Sequence, residues 1–281
     1  MAALKEWRAR KPAVAGMFYP AEAEECRRMA RQYVFGKDDA SSVGARLASP
    51  DSSSRAIGGI VPHAGWICSG AIAGEAIGEI ARSAGAVDVV VVFGAVHTPV
   101  EIAFAALDSH TSWLEPGSET QIADEIRTKL SAAGGLFAID DQFHQREHAV
   151  EVELPLIREA WPSSALLPIE VPLIDDAMEI GRRVAQQLSD TKLHAVFLAS
   201  SDLTHYGPAY RFAPAGVGMQ GLDWATQNDR RVLDRIEAFE VEEIVSEVRH
   251  HQNACGGGAI AAMMSACREQ GASGARVIRH A

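Results

Sequence analysis

Nowhere in this 281-residue chain does an apolar run reach the roughly 20 residues that a membrane-spanning helix needs. The nearest approach, Ala84 to Val100, carries Asp88 and is broken at Gly94, His97 and Pro99, so it reads as a buried strand with its flanks. Basic clusters are missing too: 26 Lys and Arg stand against 37 Asp and Glu, the formal charge is -11, and no Lys/Arg block offsets it locally. A nucleic-acid or anionic-membrane partner is therefore not expected. Cysteine is scarce, and Cys26, Cys68, Cys255 and Cys267 form no CxxC pair, which excludes a disulfide scaffold and makes reduced thiols the expectation. Met1 to Arg10 holds Lys5, Glu6, Trp7, Arg8 and Arg10 with no continuous apolar core, so a secretory signal is not expected and the location reads as cytoplasmic. What remains is ordinary for one large or two small globular domains, since 47% hydrophobic and 22% charged residues exclude intrinsic disorder.

Periodicity gives the class. Ala56 to Val61, Val87 to Phe93, Ala165 to Val171 and Ala195 to Ala199 are short, rich in β-branched residues and not alternating, as strands covered on both faces are. Helical stretches fall around and between them: Pro20 to Phe35, Ser69 to Arg82, Ser118 to Ala133, Glu147 to Ala160 and Asp175 to Leu188, with Ser118 and Asp175 as expected caps. Gly36 to Ser54 is Ser- and Asp-rich and reads as a polar loop. Trp224 to Met264 reads as mostly helical, with Val232, Ile236, Phe239, Ile244 and Val248 as its core stripe. The alternation predicts an α/β domain with a mostly parallel sheet, whose strand C-terminal ends are the usual ligand edge.

Four polar constellations come after predicted strands or open a predicted helix: Pro62 to Trp66, Gly94 to His97, Ser200 to Gly207 and Asn253 to Gly258. Imidazole and thiolate suit intermediate and soft transition metals, so His63, His97 and Cys255 are the candidate metal ligands of an open site. Placed at a helix start, Cys255 is expected to favour the thiolate. His205 is the candidate general acid/base, with Asp202 as its partner. Ser200 and Ser201 lack a GxSxG elbow and read as turn-capping hydroxyls, although Ser201 also stands beside the expected cleft. Gly256 to Gly258 lack the Lys and Ser/Thr of a phosphate loop.

A further cluster runs from Phe143 to Pro155. His144 and His148 are four apart and would share a helix face, but no Glu stands directly after the first His, so zincin chemistry lacks its base. Glu147 and Glu151 are expected at a helix N-terminus, with His148, Glu147 and Trp66 lining the cleft or supporting the groups that do.

Taken together, Arg10 to Pro20 (RKPAVAGMFYP), Pro62 to Gly70 (PHAGW and then SG), GAVH at Gly94, EHAVEVELP at Glu147, SSDLTHYG at Ser200 and Cys255-Gly256 resemble the Memo family, protein B of the AmmeMemoRadiSam system. The motifs span Arg10 to about Ile260 in the family's order. The resemblance implies a single domain over 1–281, a three-layer α/β sandwich like that of class III extradiol dioxygenases. It also implies His63 and His97 as ligands, Cys255 in place of the dioxygenases' glutamate, and His205 as acid/base. Fe(II) is the implied metal, with copper next and zinc after it, and radical-SAM and AMMECR-type proteins are implied partners. The chain departs from the family in GAVH for the usual GPSH or GPNH turn, Trp66 for Tyr, an additional Cys68, and an end at Ala281 where a further strand is common. The leading expectation is a metal-dependent oxidoreductase acting on an unidentified organic or peptide substrate. A peptide- or protein-binding module that keeps an enzyme-like metal cleft, and a metal-dependent hydrolase, stand as alternatives.

Overall fold

The computed structural model describes residues 8–39 and 55–281. The expected signal-free start and most of the expected polar loop, Gly36 to Ser54, lie outside these residues. In chain order, β1 (Ala9–Arg10) and α1 (Ala23–Asp39) precede β2 (Gly58–Val61), α2 (Trp66–Ala84) and β3 (Val89–Ala95). Short elements come next: β4 (Ala105–Leu107), β5 (Ser112–Glu115), β6 (Ser118–Gln121), α3 (Asp124–Ala133) and β7 (Phe137–Ile139). The remainder is α4 (Leu154–Ala160), β8 (Ala165–Val171), α5 (Ala177–Thr191), β9 (Ala195–Ser200), α6 (Met219–Glu237), α7 (Val241–His251) and α8 (Gly257–Glu269).

A six-strand sheet in the order β2-β9-β3-β8-β4-β7 forms the middle layer. Every pairing is parallel except β4 with β8. A smaller sheet, β1-β5-β6, lies beside it. Because strand side chains alternate, β3 feeds both cores. Val89, Val91 and Phe93 pack with α3, α5, α6, α7 and α8, whereas Val90 and Val92 pack with α1, α2 and α4. Helices on both faces of the sheet make a three-layer α/β sandwich: the alternation predicts the α/β class and the mostly parallel sheet, and the family resemblance implies the three layers. Among the described residues, no helix is long and apolar enough to cross a membrane.

The differences lie in the short elements. Ser118 to Ala133 is not one helix: Ser118 opens β6, which pairs antiparallel with β5 across a turn at Pro116-Gly117, and the helix starts at Asp124. Gly117 takes φ +75°, which glycine adopts without strain. The segment from Glu147 does not enter a helix directly. It turns, passes through a 3₁₀ turn at Glu151–Glu153, and becomes α-helical only at Leu154, with Pro155 in the first turn. The residue flanking α5 is Asp176, without a side-chain cap, rather than Asp175. Residues 272–281 run on beyond α8 without strand pairing.

Candidate metal centre

Three neighbouring parallel strands, β2, β9 and β3, end on one edge, so His63, the Ser200–His205 loop and His97 arrive together. Cys255 reaches the same edge from the start of α8. Gly256 to Gly258 allow that approach. A Cβ on Gly256 would lie 2.8 Å from the Ser200 carbonyl oxygen, and one on Gly258 would overlap the Pro172 carbonyl. Close backbone packing, rather than anion binding, accounts for this glycine run.

Each imidazole is held by its Nδ1. Ser200 Oγ donates to the Ala149 carbonyl at 2.6 Å and must therefore accept from His63 Nδ1, 2.8 Å away. That places a proton on Nδ1 and leaves Nε2 to face Cys255 Sγ, 3.4 Å away. On the other side, Glu147 Oε1 accepts from His97 Nδ1 and Oε2 from the His97 amide, both at 2.8 Å. The donor atoms of His63, His97 and Cys255 all lie within 4.8 Å of one another. Two imidazoles oriented through Nδ1, joined by one sulfur, match what a transition metal requires, so the residues present fit the ion that the sequence motifs imply.

The charges agree. Burial opposes ionisation of Cys255, but hydrogen bonding to His63 and His97 brings its thiol down to about 5. Partial burial likewise opposes protonation of His97, yet Cys255 and Glu147 raise it to about 10. Without metal, a proton therefore rests on His97 rather than on the sulfur. The Asp202 amide donates to Sγ at 3.2 Å, so the thiolate is supported by imidazoles and by a neighbouring loop as well as by its place before α8. Glu147 is held far below the carboxylate range: burial works against this, but His148 and His97 hydrogen bonds prevail.

Asp202 serves two partners. Oδ1 accepts from the amides of His63 and Ala64 at 2.9 and 3.2 Å, bracing the ligand loop, and Oδ2 faces His205 Nε2 at 3.6 Å. That carboxylate holds His205 above its ordinary value, and the ring stacks on Tyr210 with centroids 4.7 Å apart. Ser201 is buried and ties the two loops together, accepting from the Gly256 amide at 2.9 Å. His148 stacks on His97 at 4.6 Å and sits 5.2 Å from His63. Trp66 lies under the site rather than in it. Its indole is buried, donates to the Val152 carbonyl and packs on Tyr19 and Tyr33.

His144 does not share a face with His148. It is fully buried, with Nε2 against the Ala106 carbonyl and Nδ1 3.7 Å from Glu170. Glu151 is also buried, where it binds Arg10, the amides of Ala13 and Val14, and the Tyr19 hydroxyl. The Arg10–Pro20 motif is therefore a wrap around one carboxylate. A second donor group, Asp108, His110 and Asp141, is satisfied internally by His110, Trp113, Ser109 and Arg8. Sequence reasoning passed over the wall of the cleft. A space of about 450 Å³ opens from Cys255 and His205 between Leu173, Tyr210, Phe212 and Val248, with Arg249 at its side. These residues belong to no motif and come together only through the packing of α7, the loop after β8 and the 207–212 turn.

Comparison with known proteins decides the family: the model for Memo-like proteins matches residues 10–281. The chain belongs to the Memo family. A MEMO1 family protein of Methanopyrus kandleri is 30% identical over 97% of this chain and 91% of its own length. One from Methanococcoides burtonii is 30% identical over 96% and 92%. The solved structure of an uncharacterized Escherichia coli K12 protein, JW3007, overlaps 64% of this chain and 75% of its own at 13% identity and a TM-score of 0.39. The Memo assignment thus rests on the sequence family, and the candidate metal ligands of this Memo chain are His63, His97 and Cys255.

Proposed function

We propose that this Memo family protein is a metal-dependent oxidoreductase, with iron, or copper in its place, held by His63, His97 and Cys255. The observation that carries the reading is the Nδ1 anchoring of both histidines, to Ser200 and to Glu147, which commits their remaining nitrogens to a shared centre with the Cys255 sulfur. Bound there, such an ion would supply dioxygen activation and electron transfer, chemistry that two imidazoles and one thiolate with open positions suit. In this reading the protein's own groups do the rest. His205, kept protonated to higher pH by Asp202, gives or takes a proton on the substrate side of the cleft. Glu147 keeps His97 in one orientation, and His148 packs against the His97 ring. Leu173, Phe212, Val248 and Tyr210 provide an apolar wall suited to the body of an organic substrate, whose polar end would meet Arg249.

The test is metal content of protein purified anaerobically, and then Fe(II), Cu and Zn titrations of the metal-free protein beside His63→Ala and Cys255→Ser. Near-stoichiometric iron or copper that both substitutions abolish supports the proposal, and oxygen uptake with candidate substrates extends it. Zinc alone, with turnover under anaerobic conditions, would overturn it in favour of a hydrolase. Binding without any turnover would favour a peptide- or protein-binding module.

A further inference from the structure

The loop that carries His205 is irregular from Ser201 to Tyr206, so its position depends on side chains that reach in from elsewhere. Two come from α6. Asn228, almost fully buried, donates from Nδ2 to Thr204 Oγ1 at 3.1 Å and to the His251 carbonyl at 2.9 Å. Its neighbour Asp229 accepts the Thr204 amide on Oδ1 at 2.9 Å. The other oxygen of Asp229 does not face the loop. His280 Nε2 lies 2.9 Å from Oδ2.

His280 arrives there by a defined route. After α8 the chain turns, with the Ala272 amide on the Cys267 carbonyl. It then runs along α2, where Arg276 pairs with Glu79 at 2.6 Å and Arg279 with Glu75 at 3.3 Å. One carboxylate thus joins the tail to the residue directly before His205. On the far side, the Tyr206 hydroxyl donates to the Gly216 carbonyl at 2.8 Å and accepts from the Ala215 amide at 3.0 Å, and the Gly207 amide lies 2.7 Å from the Phe212 carbonyl, so His205 is suspended between two fixed points.

We propose that Asp229 is the positioning residue for His205 and that the tail sets Asp229 through His280. The proposal rests on the reading of His205 as the proton-handling group, but the latch itself needs neither metal nor substrate. A carboxylate held at one oxygen by an imidazole loses rotational freedom at the other, and so presents Oδ1 to Thr204 in a single geometry. Neither residue touches the candidate ligands.

The experiment is amide hydrogen exchange, resolved by residue, on the full-length chain without metal. Losing one hydrogen bond of ordinary strength corresponds to about five- to tenfold faster exchange of the Thr204 amide in Asp229→Ala. His280→Ala should accelerate the same amide about threefold or more while the unfolding midpoint stays in place, an effect of part of one such bond. Asp229→Asn, which keeps an acceptor for Thr204 and loses the charge for His280, should resemble His280→Ala. In the Asp229→Ala background, His280→Ala should add nothing. Thr204 exchange unchanged in His280→Ala, or an undiminished effect of His280→Ala in that background, would overturn the latch. Should turnover be established, kcat would fall in His280→Ala with KM retained. A latch seen by exchange in a protein that binds no redox metal would leave the latch standing and the proposed function refuted.

Discussion

Glu147 grips His97 at two atoms: one carboxylate oxygen takes the ring Nδ1 and the other takes the backbone amide, each at 2.8 Å. The same carboxylate also accepts the amides of His148 and Ala149 at 2.8 and 3.1 Å. A residue that stands 50 positions away in sequence therefore fixes both the rotamer and the tautomer of a candidate ligand. Glu147→Gln replaces one acceptor oxygen with a donor NH₂ and must break at least one of these contacts. Metal affinity is expected to fall about 10- to 100-fold, the usual effect of losing the partner behind a ligating histidine. Competitive titration with a chelator measures it, and an unchanged affinity would show that the grip on His97 is incidental.

The thiolate of Cys255 gives a second expectation. In metal-free protein its thiol sits at about 5, while burial pushes Cys26 and Cys267 up to about 12. At about pH 6 to 7, above the Cys255 midpoint and far below those of Cys26 and Cys267, alkylation should modify Cys255 and spare both buried thiols, with the exposed Cys68 followed as a separate peptide. His63→Ala removes the leading cause of the depression, so the reaction should slow several-fold at that pH. Saturating metal should protect the sulfur. Peptide mass mapping after brief treatment with iodoacetamide distinguishes these outcomes, and equal labelling of His63→Ala and wild type would contradict the assigned cause.

The edge that carries the candidate ligands was legible because it depends on long, locally encoded elements. Val87 to Phe93 and Ala195 to Ala199 announce buried strands, and in a parallel sheet the residues just after each strand land on one edge. Cys255, at a predicted helix start, completed the candidate set, and the family resemblance pointed to the same three residues. The three- and four-residue strands between β3 and β8 were not legible in the same way. Ala105–Leu107 and Phe137–Ile139 form strands because β8 offers the first a partner and the first in turn pairs with the second, not because their composition demands it. Ser118–Gln121 carries residues at home in a helix N-terminus, and only the Pro116-Gly117 turn signalled a hairpin. Side-chain partners distant in sequence were beyond reach altogether. Nothing near Glu151 says that Arg10 will bind it, and nothing near Asp202 says that it will spend one oxygen on the His63 and Ala64 amides.

Glu115 makes stability depend on pH. It is buried on β5 with one hydrogen bond, from the Thr120 hydroxyl at 3.0 Å, and burial raises its carboxyl from 4.5 to about 7. A folded-state value above the unfolded one means that the fold binds this proton more tightly. The contribution is therefore complete below about pH 4.5 and is lost as pH rises through about 7. The full effect is on the order of 3 kcal/mol. Glu115→Gln keeps an acceptor for Thr120 and carries no charge, so its stability should fall less between pH 5 and 8, roughly the window set by the two values. Urea unfolding of both proteins across that range tests it, and parallel curves would remove Glu115 as the cause.

Arg10 ties the N-terminal motif to the site. Its guanidinium lies over the Trp113 ring at 4.0 Å and pairs with Glu151 at 2.7 Å. It also donates to the carbonyls of His144 and Glu147 at 2.7 and 2.8 Å. Both members of the pair are almost fully buried, so Arg10→Met leaves Glu151 charged and short of one partner in a space that water does not reach. Breaking such a pair from one side costs about 3–5 kcal/mol. Arg10→Lys keeps the charge but not the planar fork, and one ammonium cannot serve Glu151 and two separate carbonyls in the same geometry, so it should recover only part of the loss. Because one of those carbonyls belongs to Glu147, the damage should not be confined to stability. Metal affinity in Arg10→Lys should fall in the same direction as in Glu147→Gln, though by less, and this can be measured at a temperature where the variant is fully folded. A variant that loses stability but binds metal as wild type does would separate the wrap around Glu151 from the orientation of His97.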